Sequence, residues 1–250
     1  MSPPFRGYAI LAVGSPVARL MMDMKDLFIV GVTRMRHGVC VGGIDVASGQ
    51  WVRPVKRHGE ITVDDLCCAG GHIFGAGDLV RIAFDCPRPD PPHNEDWIWD
   101  PAAHPADYLE RPDEAAQDAL LARLSEPDPL AVLEGYERSM CLARVEEIEA
   151  TFGVHRASGH FEARIAVPGL TDERGFPCVD LRWRALGREL TRDDGLPAQY
   201  CDDELRARLG YNSVYLALGK GRLFQEQHWP LVGAVRPVPD YSVSVDYMDL

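Results

Sequence analysis

The chain has 250 residues, of which 46% are hydrophobic and 26% are charged, and its formal net charge is −12. This composition excludes a disordered chain, and no apolar run reaches the roughly 18 residues that span a bilayer, so we expect a folded protein that is not integral to a membrane. The negative charge also disfavours nucleic acid as a partner, because phosphate contacts need a surface rich in Lys and Arg.

The negative charge is concentrated in one segment. Residues 85–138 contain fourteen Asp and Glu residues against four Arg residues, which is −10 of the total of −12. Nine of the nineteen prolines lie in residues 87–129. We therefore predict an acidic, proline-rich connection or insertion here, and the nearly neutral remainder weakens the objection to nucleic-acid binding.

Residues 1–23 carry a weak resemblance to a secretory signal, because Arg6 precedes the short apolar run 8–13. The alternative is a flexible N-terminal extension, since the first strong strand pattern begins only after Met24. We adopt the extension and expect a cytoplasmic protein.

The cysteines do not form a recognisable framework. There are seven, an odd number, and Cys67 and Cys68 are the one close pair, so we expect reduced thiols rather than disulfides. A metal site built from this pair with His58 and His72 lacks a second paired motif. We predict no metal and no cofactor.

The first half of the chain is rich in strand patterns. Apolar or alternating runs predict strands over 27–32, 39–46, 50–55 and 78–85, with a turn at 47–49 that closes a hairpin. Period-two geometry places Trp51 and Arg53 on the same face of the third strand. Pro54 cannot donate to a sheet ladder, so that strand ends there, lies at an edge or carries a bulge.

The remaining elements mix strands with short helices. Helices are predicted over 113–124, where Asp113 is a suitable cap, and over 202–209, which Gly210 terminates. The predicted strands of this half are 140–148, 161–167, 181–184, 214–218 and 231–235, and a helix is the alternative at 140–148, where the alternation is mixed.

Several sequence runs resemble the dual OB domain family of prokaryotic proteins. They are FIVGVTRMRHGVCVGGIDVASGQWVRPV at 28–55, then GDLVRIAFDCPRP and HNEDWIWD, and later SMCLARVEEI, VYLALGKGRLF and HWPLVGAVRPV. Asp96 stands where the family usually has Asn, and Asp180-Leu181-Arg182-Trp183 replaces a Thr-Asp-Pro-like sequence of the second barrel.

The resemblance implies a mainly β, β-rich α+β fold with two OB-like β-barrels. The first barrel would span 24–86 and the second 139–238, with the acidic segment 87–138 between them and a tail at 239–250. The family is functionally obscure, but OB barrels bind single-stranded nucleic acid with stacked aromatics and basic side chains.

The candidate nucleic-acid site of the first barrel surrounds Trp51 with cations. It consists of Arg34, Arg36, Trp51, Arg53, Lys56 and Arg57. An aromatic face among cations suits a single strand. The alternative is that Trp51 belongs to the core and that Arg53 pairs with a buried acid such as Asp45.

A second candidate pair, Arg182 and Arg184, would face away from Trp183 if 181–184 is a strand. These arginines would then either contact phosphates or form a solvated face that pairs with Asp180 and Glu189.

No enzyme signature is present. The sequence lacks GxxxxGK[ST], GxGxxG, GxSxG and HExxH, and we assign no catalytic role to His93, Glu95 or Asp96 of the proline-rich segment. We therefore predict a non-enzymatic module that binds single-stranded DNA or RNA. The alternative is a regulatory protein that binds a protein or a nucleotide and uses the acidic segment as its interface.

Overall fold

The structure is a computed structural model that describes residues 22–35, 37–156 and 158–245. Most of the predicted N-terminal extension, Arg36 of the first candidate cluster and the end of the predicted tail lie outside these residues.

The first half of the chain forms a seven-stranded sheet. Its strands are β1 (Asp23–Arg34), β2 (Val39–Asp45), β3 (Trp51–Val55), β4 (Leu79–Phe84), β5 (Cys86–Pro87), β6 (Asp96–Ile98) and β7 (Asp107–Glu110). They are arranged in the order β5-β6-β3-β2-β1-β4-β7, with β1 antiparallel to both β2 and β4. A single 3-10 turn, Asp64–Leu66, follows β3.

The second half forms another seven-stranded sheet. Its strands are β8 (Met140–Val145), β9 (Glu149–Val154), β10 (Phe161–Ala166), β11 (Phe176–Cys178), β12 (Ala198–Tyr200), β13 (Ser213–Phe224) and β14 (Gln227–Val238). Their order is β12-β9-β10-β11-β14-β13-β8. The two sheets confirm the predicted mainly β fold with two OB-like domains.

The central strand β1 is buried on both faces. Leu27 and Ile29 point into the core of the first barrel, whereas Phe28 and Val30 belong to a separate core at the junction of the two sheets. A strand buried on both faces needs apolar residues at every position, which explains why its sequence is continuously apolar rather than alternating.

The junction core joins both halves of the chain. Besides Phe28 and Val30 it contains Tyr215 and Ala217 of β13, together with Leu121. Leu121 lies on α1 (Glu114–Leu124), whose N-cap Asp113 accepts a hydrogen bond from Ala116 N. The predicted helix of the acidic segment is therefore present, and it packs between the barrels.

Part of the acidic segment belongs to the first sheet, which differs from its prediction as a connection. Strand β6 runs parallel to β3, and β7 is antiparallel to β4. Trp99 and Ala106 of this segment are fully buried in the first core. The first sheet thus extends beyond residue 86. The sequence pattern did not reveal this extension, because short strands rich in Asp, Pro and Trp show little alternation.

The prediction of a strand at 181–184 is wrong. The other helices of the described residues are α2 (Pro129–Glu134), α3 (Leu181–Asp194) and α4 (Asp202–Leu209), and α3 covers the predicted strand. Asp180 caps this helix, since its carboxylate accepts from Arg182 N and Trp183 N. Four alternating residues do not distinguish a strand from the first turn of a capped helix.

Within the part of the chain that the structure describes, no helix has the length and apolar character needed to cross a membrane.

Candidate ligand-binding cleft

The two sheets touch where β1 meets β14. A Cβ atom placed on Gly31 would lie 2.5 Å from the Cβ of Ala234, so only glycine permits this approach. Both strands have an irregular register close to the contact: β1 against β2 between Ile29 and Gly31, and β14 against β13 opposite Ala217 and Leu218. Such bulges bend strands and are common next to binding sites.

Two neighbouring cavities open beside this contact, and together we call them the cleft. The junction cavity has a volume of about 430 Å³ and lies between β1, β13 and β14. The adjoining cavity has about 750 Å³ and is bounded by β3, by the segment before β6 and by β14. Both are lined by Met35, Cys40, Arg53 and Arg222, so one ligand can occupy both.

The cleft is locally cationic although the chain is acidic. Among the described residues, its lining holds six cationic side chains, Arg34, Arg53, Lys56, Arg88, Lys220 and Arg222, and three carboxylates, Glu60, Asp90 and Asp96. In a chain of net charge −12 this is a reversal of sign. A cleft with an excess of one sign of charge attracts ligands of the opposite sign.

Three glycines of the junction cavity leave room that the fold does not require. The nearest protein atoms to a Cβ built on Gly219, Gly221 or Gly233 lie at 3.5, 3.4 and 3.6 Å, which is ordinary contact. All three glycines line the cavity. A Cβ atom fits at each position but would occupy part of the cavity, so the glycines leave the backbone open to close approach.

Arg53 lies at the boundary of both cavities and is held by Asp96. Its Nε donates to Oδ1 at 2.5 Å and its Nη2 donates to Oδ2 at 2.8 Å. Burial alone would lower the pKa of Arg53, but the hydrogen bonds to the Asp96 carboxylate raise it above its usual value. The predicted alternative partner, Asp45, instead accepts hydrogen bonds from Ala47 N and Ser48 Oγ in the turn after β2.

The other residues of the first candidate cluster are placed unequally. Trp51 is only 5% exposed and forms part of the junction cavity wall. Lys56 lines the adjoining cavity and pairs with Asp65. Arg57 is exposed and pairs with Asp85 at 3.3 Å, away from the lining. Arg34 lines the junction cavity, and its backbone N–H donates to Val179 O at 3.0 Å, which ties β1 to the second half.

The second candidate cluster does not join the cleft. Arg184 is buried on α3, where its guanidinium donates to Phe161 O, and burial lowers its pKa. Arg182 donates to the carboxylate of Asp240 at 2.9 Å and lies over the ring of Tyr241. Because 181–184 is helical, these arginines do not form the solvated strand face that alternation predicts.

Sequence reasoning missed a polar contact that joins the two halves. Ser139, at the start of β8, lies 2.7 Å from Nδ1 of His93 and donates to the carboxylate of Glu95. All three side chains are buried. Since Glu95 accepts the serine hydroxyl proton, His93 donates to the serine oxygen through Nδ1. Burial lowers the pKa of His93 to about 4, so its ring is neutral near pH 7.

Lys220 is a second residue that sequence reasoning missed. Its Nζ donates to Gly135 O and lies 5.0 Å from the centroid of the Tyr136 ring, and burial lowers its pKa. The signal available in the sequence was a lysine between two glycines, Gly219-Lys220-Gly221, directly after the apolar run 214–218.

Two OB-like sheets joined along β1 and β14 define the architecture of the chain, and a family comparison agrees with it. Residues 25–166 match the family model described as Dual OB-containing domain. The chain belongs to this family. The match ends after β10, within the second sheet. Neither the curated proteins nor the solved structures contain a match to this chain.

Proposed function

We propose that this protein binds single-stranded nucleic acid, DNA or RNA, in the cleft between its two barrels. The observation that carries the proposal is the reversal of charge: six cationic side chains line the cleft of a chain whose net charge is −12. OB folds bind oligonucleotides through a strand face and its loops, and this cleft lies against strands of both sheets.

The cations differ in how freely they can contact phosphate. Arg53 is neutralised by Asp96, and Lys56 is neutralised by Asp65. Arg222 is paired with Glu60 at 3.0 Å, but its side chain is 70% exposed, so the pair contributes little and is easily exchanged for a phosphate. Arg34 has no carboxylate within 4.0 Å among the described residues. Arg88 and Lys220 already donate to the backbone oxygens of Lys56 and Gly135, so we assign the principal phosphate contacts to Arg34 and Arg222.

The acidic segment leaves the cleft accessible. From residues 87–138 the lining includes Arg88, Asp90, Pro91, His93 and Asp96, but no residue of α1 or α2. These helices pack against β8 and the junction core instead. This arrangement favours binding in the cleft over a role of the acidic segment as its cover.

The test is fluorescence anisotropy with labelled 12-nucleotide single strands of DNA and RNA at low and high salt. We expect an Arg34→Glu/Arg222→Glu variant to bind at least 10-fold more weakly at low salt, because two phosphate contacts become repulsive. Arg53→Glu is unsuitable, because it would place a carboxylate against buried Asp96.

Arg208→Glu is the matched control, since Arg208 is an exposed arginine of α4 paired loosely with Asp194 at 3.5 Å. It should bind like the wild type. Wild-type affinity that does not change with salt, or equal losses in the cleft variant and the control, would refute the proposal.

A further inference from the structure

Strands β13 and β14 form a long hairpin whose tip is apolar and exposed. Leu223 and Phe224 are each 64% exposed and Trp229 is 50% exposed. The turn consists of Gln225 and Glu226, which have φ angles of 51° and 64°. Positive φ at both central residues is the geometry of a two-residue hairpin turn, so the tip has a defined shape.

Trp229 differs in exposure from the buried tryptophans of the chain. Trp51, Trp99 and Trp183 are at most 5% exposed. The indole Nε1 of Trp229 donates to the backbone oxygen of Phe224 at 3.2 Å, which holds the indole against the backbone of the hairpin tip. A large aromatic ring held in place on the surface loses little conformational entropy when a flat ligand stacks on it.

The tip is continuous with the cleft. Leu231 lies two residues after Trp229, so period-two geometry places both on the same face of β14, and Leu231 lines the junction cavity. On β13, Gly221 and Arg222 together oppose Trp229, because the register shifts between Lys220 and Leu223. Arg222 lines both cavities, so the aromatic tip and a phosphate-binding side chain are adjacent in the ladder.

We propose that Trp229 and Phe224 are a base-stacking platform, and that a single strand runs from the cationic cleft onto the tip of this hairpin. The inference rests on the proposed function, which it extends from phosphate contacts to the bases. Stacking on an aromatic side chain tolerates any sequence, because every base has a π-face. Bases within a duplex are already stacked, so the platform selects single strands.

The neighbouring charges favour nucleic acid over a protein as the occupant. Exposed Trp and Phe are also common in protein interfaces, but here they adjoin Arg222 and a cleft lined by six cations. Aromatics beside a cationic groove are the combination used to bind single strands.

The experiment compares two probes, a labelled 12-nucleotide DNA single strand and the same sugar-phosphate chain without bases. It uses the full-length wild type, Trp229→Leu and Trp229→Phe. Leu retains apolar area without a π-face, whereas Phe retains a smaller π-face. We expect Trp229→Leu to bind the normal strand about 10-fold more weakly and the strand without bases unchanged, with Trp229→Phe between wild type and Trp229→Leu.

Intrinsic fluorescence gives an independent readout. Stacking should quench the emission of Trp229, and Trp229→Phe should remove most of that quenching. Tyr108→Ala, which removes an exposed aromatic on β7 at the far edge of the first sheet, is the control and should bind like the wild type.

The outcomes separate this inference from the proposed function. If the wild type binds neither probe, the proposed function fails and the inference fails with it. If the wild type binds both probes and Trp229→Leu binds the normal strand as tightly as the wild type, cleft binding stands and the stacking platform is refuted, which would leave the hairpin tip to a protein partner.

Discussion

Arg53 and Asp96 form a two-hydrogen-bond ion pair across 43 positions of sequence, with Nε to Oδ1 at 2.5 Å and Nη2 to Oδ2 at 2.8 Å. The pair exists because β3 and β6 run parallel with these two residues as register partners. Bidentate pairing orients the guanidinium and neutralises it. The availability of Arg53 to a ligand therefore depends on the Asp96 carboxylate.

Asp96→Asn should release the charge of Arg53 without removing the oxygen that accepts one of its hydrogen bonds. If the proposed function holds, single-strand affinity at low salt should rise, and the slope of log affinity against log salt should steepen by up to about 0.7. Asp85→Asn is the control, because its partner Arg57 lies outside the cleft lining, and it should leave the slope unchanged. A shallower slope in Asp96→Asn would contradict this role of Arg53.

Ser139→Ala should destabilise the protein by about 1–3 kcal/mol, because buried Glu95 loses the hydroxyl donor and His93 loses its acceptor. Urea unfolding followed by circular dichroism measures the loss. Ser158→Ala removes a comparable contact between serine and His155, at 3.0 Å, but on the exposed surface. Its effect should stay within about 0.5 kcal/mol. Equal losses of stability in the two variants would show that the buried contact stabilises the protein no more than the exposed one.

The stability of the protein should fall as the pH is lowered from about 6.5 to about 4. His93 takes up a proton at pH 6.5 in the unfolded chain but only near pH 4 in the fold, where burial first and then Arg53 and His228 oppose its charge, while Asp90 and Asp96 favour it. The unfolded state therefore binds the extra proton in this window, which costs about 2–3 kcal/mol of folding free energy.

The pH effect is tested by urea unfolding at pH 7 and pH 5 in the wild type, His93→Asn and His155→Asn. The amide of Asn can still donate to Ser139, so we expect His93→Asn to lose less stability between the two pH values than the wild type. His155→Asn removes an exposed histidine and should retain the wild-type loss. An unchanged pH dependence in His93→Asn would exclude His93 as its source.

Gly31→Ala should destabilise the junction of the two sheets by about 1–3 kcal/mol, because the new Cβ would lie 2.5 Å from Ala234 Cβ and 3.2 Å from Gly233 O. Gly70→Ala is the control, since nothing lies within 4 Å of a Cβ there and its φ is not positive. That change should be neutral or slightly stabilising. Thermal unfolding followed by circular dichroism compares the two variants. Equal unfolding midpoints would mean that the two sheets can move apart at Gly31 without a loss of stability.

Local patterns predicted the fold better than the site. The apolar run of β1, the cap at Asp113 and the glycine after α4 are local signals of a strand and of helix ends. The strand and both helices are present. The site depends on partners distant in sequence. The sequence identified Arg53 as a candidate but not its partner Asp96, because that pairing requires β6 to join the first sheet, and β6 has only three residues.

His93, Lys220 and Trp229 show the same limit. Each becomes part of the cleft or its margin because two barrels meet, and neither barrel alone carries a pattern that signals the meeting. Arg184 shows the opposite error, since an arginine in a polar alternating run is buried against Phe161 once the run becomes a helix.

The junction core makes the two barrels thermodynamically dependent on each other. Phe28 of β1, Leu121 of α1 and Tyr215 of β13 belong to one buried cluster. Unfolding of either half would therefore expose apolar side chains of the other half to water. Although two barrels are present, denaturation should follow a single transition at one midpoint, and either half expressed alone should expose enough apolar surface to self-associate.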